Sequence, residues 1–278
     1  MRLGVNLLVG GSLCIVALAA AVLAPWIATH HPFLDSNLMN SELPPREGFK
    51  EGFFFGTDKQ GRDIYSRILW GAQISLMVGV VSQLMNSVIG TLLGMSAGYW
   101  GGRWDSFVSG LTNVMLSIPS LIFALAIIAV LGRGLSSLLI ALGLTNWSLT
   151  CRVARASALS LRGQGYVQAA KTLGYSDVRI MLTQILPNML GPIIVIGTLG
   201  MGGAILAEAA LSYLGLGIQP PWPSWGSMLS DARETIITGQ AWIPLFPGLA
   251  IFFTVLGLNL LGDGLRDILD PQSKARRA

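Results

Sequence analysis

The sequence predicts an all-α polytopic membrane protein with six transmembrane helices, and three observations lead there. Of 278 residues, 52% are hydrophobic and only 12% are charged, whereas a soluble domain carries about 25% charged residues. The mean hydropathy is +0.62. The apolar residues gather in six runs, and about 20 such residues cross about 30 Å of hydrocarbon as a helix. No water reaches the backbone there, so each run must satisfy its own N–H and C=O groups, which helices do.

The runs are Leu7–Ala28, Ile74–Tyr99, Phe107–Leu131, Leu135–Cys151, Gly191–Leu214 and Pro244–Leu261. The stretch Leu3 to Ala24 exceeds the roughly 7–15 residues of a signal-peptide core, so the first run reads as a retained helix. The second carries Gly90, Gly94 and Gly98, small residues every four positions that let another helix approach closely. The fifth has a similar face through Gly197, Gly200 and Ala204, and the fourth is the shortest run. With the N-terminus inside, the inner segments hold eleven Lys and Arg and the outer ones seven; the basic tail after the last run favours a cytoplasmic C-terminus. Trp26, Trp70, Trp100, Trp104, Trp147 and Trp242 fall near run ends, as interfacial tryptophans do. Cys14 and Cys151 read as small buried apolar side chains rather than a disulfide.

Several chemistries are disfavoured. Gly94-Met-Ser96-Ala-Gly98 matches the nucleophile elbow, but it lies inside an apolar helix rather than between a strand and a helix. The only histidines, His30 and His31, follow the first run, so Ser96 has no base. No Lys follows a Gly, which excludes a phosphate-binding P-loop on this chain. No metal-ligand spacing occurs, and the scattered basic residues form no nucleic-acid stripe. Glu208 is the acidic residue within a span and, with the weaker polar candidate Asn259, is a candidate for a pathway or gate. The loop from Gly215 to Trp242, with Trp222 and Trp225, could contact a delivering protein outside or close an outer gate.

The segment between the fourth and fifth runs is different. Gly163 and Gly165 interrupt the helix; Tyr166 to Leu173 then reads as two helical turns with Val167, Ala170 and Leu173 on one side. Gly174 fits the C′ position, Ser176 an N-cap, and Pro187 the end of a second short helix. The paired Ala169 and Ala170 would let a partner surface come close.

At these residues the chain resembles the permease subunits of ABC importers. Gln168-Ala-Ala-x-x-x-Gly174 followed by Ile185-Leu-Pro187 is similar to their "EAA" loop, with Gln168 where the family usually has Glu. Further segments resemble the C-type subunit of the dipeptide, oligopeptide and nickel branch: Gly56-Thr-Asp-Lys-Gln-Gly-Arg-Asp63 with Ser66-Arg67, Glu208 to Gly217, Pro220 to Gly226 with Asp231-Ala-Arg233, and Asn259 to Asp267 with Asp270-Pro271. The resemblance implies a type I ABC importer permease fold with a cytoplasmic coupling helix between helices four and five. It divides the chain into a first helix and extracytoplasmic loop, 1–73, and a permease core, 74–278, whose coupling loop spans 152–190. It implies Tyr166, Gln168, Ala169, Ala170, Gly174 and Pro187 as the ATPase-coupling residues. The implied partners are a second permease subunit, two ATPase subunits or domains that bind ATP and Mg, an extracytoplasmic substrate-binding protein and membrane lipid. The chain itself would carry no cofactor and sit in a bacterial or archaeal inner membrane. The expected cargo is short peptides, with nickel complexes or another small solute as the alternative. An ion-coupled carrier would call for several buried ionisable residues.

Overall fold

The computed structural model describes residues 4–32, 34–235 and 237–269. Arg2, the basic tail and Asp270-Pro271 lie outside them. Helix α1 spans Val5–Ile27. A polar excursion with the short α2, Pro45–Gly48, leads to α3, Ile64–Trp100. Its start is ten residues before the expected run, because the Asp63 carboxylate caps it by accepting from the backbone N–H groups of Tyr65 and Ser66. At 37 residues α3 is about 55 Å long, and it runs unbroken through residue 73, where the two predicted segments were divided. No strand occurs among the described residues.

The six expected crossings take three forms. Helices α1, α3, the continuous Asp177–Tyr213 and the last helix, Trp242–Leu269, are each long and apolar enough to cross a membrane. The third run is a bent pair, α4 (Gly102–Ser117) and α5 (Ser120–Leu131), meeting at 90°. Pro119 stands in the break, where its ring disfavours helix at Ile118. The fourth run, Leu135–Cys151, is two helices, α6 (Leu135–Thr145) and α7 (Trp147–Leu161), neither long enough alone. Asn86 of α3 makes that interruption possible. Its Nδ2 donates to the Leu142 carbonyl at 3.1 Å, and its Oδ1 accepts from the Asn146 N–H at 3.1 Å. A single amide side chain thus serves backbone groups freed by the break.

Beyond α7 come α8 (Gly165–Thr172) and α9 (Asp177–Ile180), then a π-helical turn, Met181–Ile185, that opens into α10 (Leu186–Tyr213). The second short helix therefore does not stop at Pro187. Proline has no N–H and its ring crowds the preceding turn; the wider i→i+5 turn just before it absorbs that defect and lets the helix continue. The short α11 (Trp225–Asp231) and the long α12 (Trp242–Leu269) complete the chain.

Helix α1 lies against α12 through glycines. A Cβ at Gly10 would sit 2.3 Å from the Leu261 nitrogen, and one at Gly264 2.8 Å from Leu7. The far side of α1, with Ile15, Val16 and Val22, is exposed and apolar, as a lipid-facing surface is. The glycine face of α3 is covered by α7. Built Cβ atoms at Gly90, Gly94 and Gly98 would fall 2.5, 2.3 and 2.5 Å from the carbonyl oxygens of Trp147, Cys151 and Arg155. Both helices step by four residues along this seam, so backbone meets backbone over two turns. Trp147 is consequently buried inside the bundle rather than set at its rim.

Candidate functional site

The loop joining α7 to α10 is built as a rigid cap on one end of the bundle. Helix α8 ends in a Schellman arrangement: the Tyr175 N–H donates to the Ala170 carbonyl at 3.2 Å and the Gly174 N–H to the Lys171 carbonyl at 3.0 Å. This requires Gly174 to take φ +79°, which costs a glycine little. Val167 and Ala170 are buried with Met95, Ala154, Ala158, Ile180 and Ile185. Leu173, expected on that same side, is 74% exposed. It follows the last helical residue, where the chain turns away towards Gly174. Tyr166 and Ala169 face outwards with Leu173, and Val178 beyond the turn is exposed too. The alanine pair is thus divided: Ala169 belongs to the surface and Ala170 to the chain's own core.

Polar bonds tie this cap to the end of α3. The Tyr99 hydroxyl donates to Asp177 Oδ1 at 2.8 Å and Trp100 Nε1 donates to Oδ2 at 3.2 Å. Arg162 Nη1 donates to the carbonyls of Gly98 and Tyr99 at 3.2 and 3.4 Å. Gln168 Nε2 donates to the Arg162 carbonyl at 2.7 Å. A glutamate at 168 could not donate in this way, so the amide serves the junction between α7 and α8. Arg155 of α7 makes a two-point ion pair with Asp105 of α4, extending the frame to the bent pair. These bonds and the glycine seam join α8 to α3 and α7 together.

The opposite end is held by a buried carboxylate. Glu208 is fully buried and accepts from three hydroxyls: Ser212 at 2.7 Å, Ser224 at 2.8 Å and Ser75 at 3.4 Å. Ser224 also caps α11, accepting from the Ser227 N–H at 3.0 Å. Trp225, 2% exposed, donates from its backbone to Ser75 Oγ at 3.2 Å and from Nε1 to the Ile68 carbonyl at 3.0 Å. Glu208 thus fastens α11 to α3 and α10, and Trp225 is a core residue; of the two tryptophans, Trp222 is the exposed one. Asn259 is exposed on α12 and makes no interhelical hydrogen bond among the described residues. Replacing Glu208 by Leu leaves three buried hydroxyls without their acceptor. At about 1–3 kcal/mol for each orphaned group, the midpoint of thermal unfolding in detergent should fall by at least about 6 °C, about 2–4 °C per kcal/mol. Glu208→Gln, which keeps one carbonyl acceptor, should lose less than half of that. Equal losses in the two variants would refute the stapling role.

Around this end, segments that stood apart in the sequence converge. Asp58 pairs with Arg62, Nε to Oδ2 2.8 Å, and with Arg67, and both arginines reach Asp231 Oδ2 at 3.2 Å. Lys59 lies 2.5 Å from Glu234 and holds that exposed carboxyl below the usual carboxylate range, chiefly through their hydrogen bond. The spacing of these residues gave no sign of one cluster, nor did the sequence mark Asn86 or the Asp105–Arg155 pair. Each depends on which helices are neighbours. Ser96 donates to the Leu93 carbonyl and accepts from Trp104 Nε1, with no base beside it. No group of three His, Cys, Asp or Glu suited to a metal ion occurs among the described residues.

Residues 90–274 match the family described as binding-protein-dependent transport system inner membrane components. The chain belongs to this family. Its relatives include the dipeptide transport system permease protein DppC of Alkalihalophilus pseudofirmus, 46% identical over 252 residues, covering 90% of this chain and 82% of that one. The di/tripeptide permease DppC of Pseudomonas aeruginosa is 42% identical, covering 91% and 84%. The glutathione permease GsiD of Escherichia coli is 41% identical, covering 94% and 84%. The inward-facing MetNI methionine ABC transporter shares the fold with a TM-score of 0.60 at 18% identity, over 73% of this chain and 96% of that one. Within the family, the cap formed by α8 and α9 is the stretch that resembles the "EAA" loop, and the fold is that of an ABC importer permease.

Proposed function

We propose that the chain forms one half of the transmembrane pathway of an ATP-driven importer of dipeptides and oligopeptides. A second permease subunit supplies the other half, an extracytoplasmic binding protein delivers the cargo, and two ATPase subunits bind ATP and Mg. Both termini and the α8–α9 cap lie on the cytoplasmic side. The observation that carries this reading is the division of α8. Its inner side is locked into the bundle, while Tyr166, Ala169 and Leu173 form an outward apolar face that is exposed among the described residues. Such a face suits a cleft on a soluble subunit, and the names of the relatives support a peptide cargo. The chain has no phosphate-binding loop, so ATP hydrolysis belongs to its partners.

In this mechanism closure of the ATPases moves α8. Gln168, Arg162 and Asp177 pass that displacement to the ends of α3 and α7, which move as a unit because their backbones touch. At the far end Glu208 keeps α11 attached to α3 and α10, so the bundle rocks between discrete packings rather than deforming. Trp222 stands where it could meet the binding protein. Reconstitution of the chain with its partner permease, ATPases and binding protein in liposomes should give uptake of a labelled dipeptide that requires ATP at the ATPase side. Uptake by this chain without the ATPases, driven by an ion gradient, would replace the importer reading with an ion-coupled carrier.

A further inference from the structure

Midway along α3 the side chain of Gln83 enters a cavity of about 390 Å³ between α3, α5, α7 and α10. Small-molecule sites occupy about 300–1,000 Å³. Gln83 is 5% exposed. Its Nε2 donates to Ser87 Oγ at 3.2 Å, and among the described residues its Oε1 accepts no hydrogen bond. The amide is seated there because position 200 is a glycine: a Cβ would lie 2.2 Å from Gln83 Oε1. Asn146 lines the same space from the α6–α7 break. Its backbone N–H is already satisfied by Asn86, and its side-chain amide makes no hydrogen bond among the described residues. Ser120 and Leu121, the first residues of α5, also border the cavity, and no side chain caps that helix. The N–H groups of Ser120 and Leu121, at the start of that helix, have no partner within it. The remaining wall is apolar or small, including Leu149, Gly203 and Ala207, and none of the lining residues is ionisable.

An amide carries a donor and an acceptor side by side, as a peptide bond does. Gln83 Oε1 borders the cavity and is open to an incoming donor. The end of an uncapped helix favours negative charge. We propose that this cavity is a transit site for the peptide itself. Gln83 and Asn146 bond its backbone amide, and its C-terminal carboxylate lies at the start of α5. The inference rests on the importer reading above and adds to it a place inside the membrane domain where cargo is recognised. Neutral amides suit a transit site: they satisfy the peptide bond of any sequence without holding a charged side chain, so the ligand can leave.

The test uses the complete complex in liposomes, with radiolabelled dialanine as probe. Gln83→Leu and Asn146→Ala are compared with wild type for uptake and for binding-protein-stimulated ATP hydrolysis. The expected result is uptake per ATP hydrolysed reduced about tenfold for each lost amide bond. As a second measurement, a photoactivatable benzoylphenylalanine at Leu149 should label with a photostable tritiated dipeptide during turnover, and unlabelled dialanine should compete. Unchanged uptake in both variants, or no competed label in a complex that transports, overturns the transit site and leaves the importer reading intact. A wild-type complex that binds ATPases yet moves no peptide would instead overturn the importer reading, and the transit site with it.

Discussion

Arginine in place of Ala169 should reduce substrate-stimulated ATP hydrolysis of the assembled complex at least thirtyfold while leaving the chain folded and inserted. Ala169 lies on the outward face of α8 between Tyr166 and Leu173. A bulky charge there meets only solvent in the isolated subunit but is trapped in any cleft that receives the helix. Loss of a central contact of this kind costs about 2 kcal/mol or more, and every 1.4 kcal/mol is about tenfold in occupancy. The neighbouring substitution should behave differently. Ala170 is 5% exposed and packs with Val167, Ile180 and Ile185, so Ala170→Arg should lower the yield of folded protein before coupling is even measured. Size-exclusion profiles and thermal unfolding of the purified subunit separate the two effects. Normal coupling in Ala169→Arg would remove α8 as the docking element.

A second large stability effect is expected at the α3–α7 seam. A side chain at Gly94 would begin 2.3 Å from the Cys151 carbonyl and 2.8 Å from Ala154 Cβ. Contact with backbone cannot be relieved by a rotamer change, so Gly94→Val must push the helices apart. Overpacking costs about 1–3 kcal/mol, and here the upper end or beyond applies. The thermal midpoint should therefore drop by roughly 10 °C, at about 2–4 °C per kcal/mol. Gly110 of α4 is the control: nothing lies within 4 Å of its Cβ position, so Gly110→Ala should leave the midpoint unchanged or raise it by up to about 4 °C, for up to about 1 kcal/mol of helix propensity. A similar loss in both variants would mean that general helix perturbation, and not the seam, sets the cost.

The seam was legible as a pattern and illegible as a contact. Gly90, Gly94 and Gly98 announce a face for close approach, since spacing by four places them on one side of any helix. That α7 is the helix received, and that the same α7 leads into α8, follows from topology. Pro187 shows the opposite case. Its local rule, to end a helix, was overridden because one π turn is cheaper than breaking a long apolar helix in an environment without water. Glu208 was found by its charge, but its partners were not. Ser75, Ser212 and Ser224 come from three elements, and serines are too common for any spacing to single them out. Trp225 and Trp222 are the same residue type in the same loop, yet one is buried and the other exposed.

Local rules, which depend on a few neighbours in the chain, were enough for the helical membrane class, the helix that terminates at Gly174, the missing P-loop and the family resemblance. Composition, periodicity and turn chemistry act over short distances and survive in the string of residues. The tertiary structure alone decided which way each of those features points. It turned Ala169 out and Ala170 in, gave Gln168 the Arg162 carbonyl, and lent Asn86 to the broken backbone at Asn146. It also brought Asp58, Arg62, Arg67 and Asp231 into one cluster. These are pairings between residues far apart in sequence, and their energies depend on distance and burial, quantities fixed only when the helices pack.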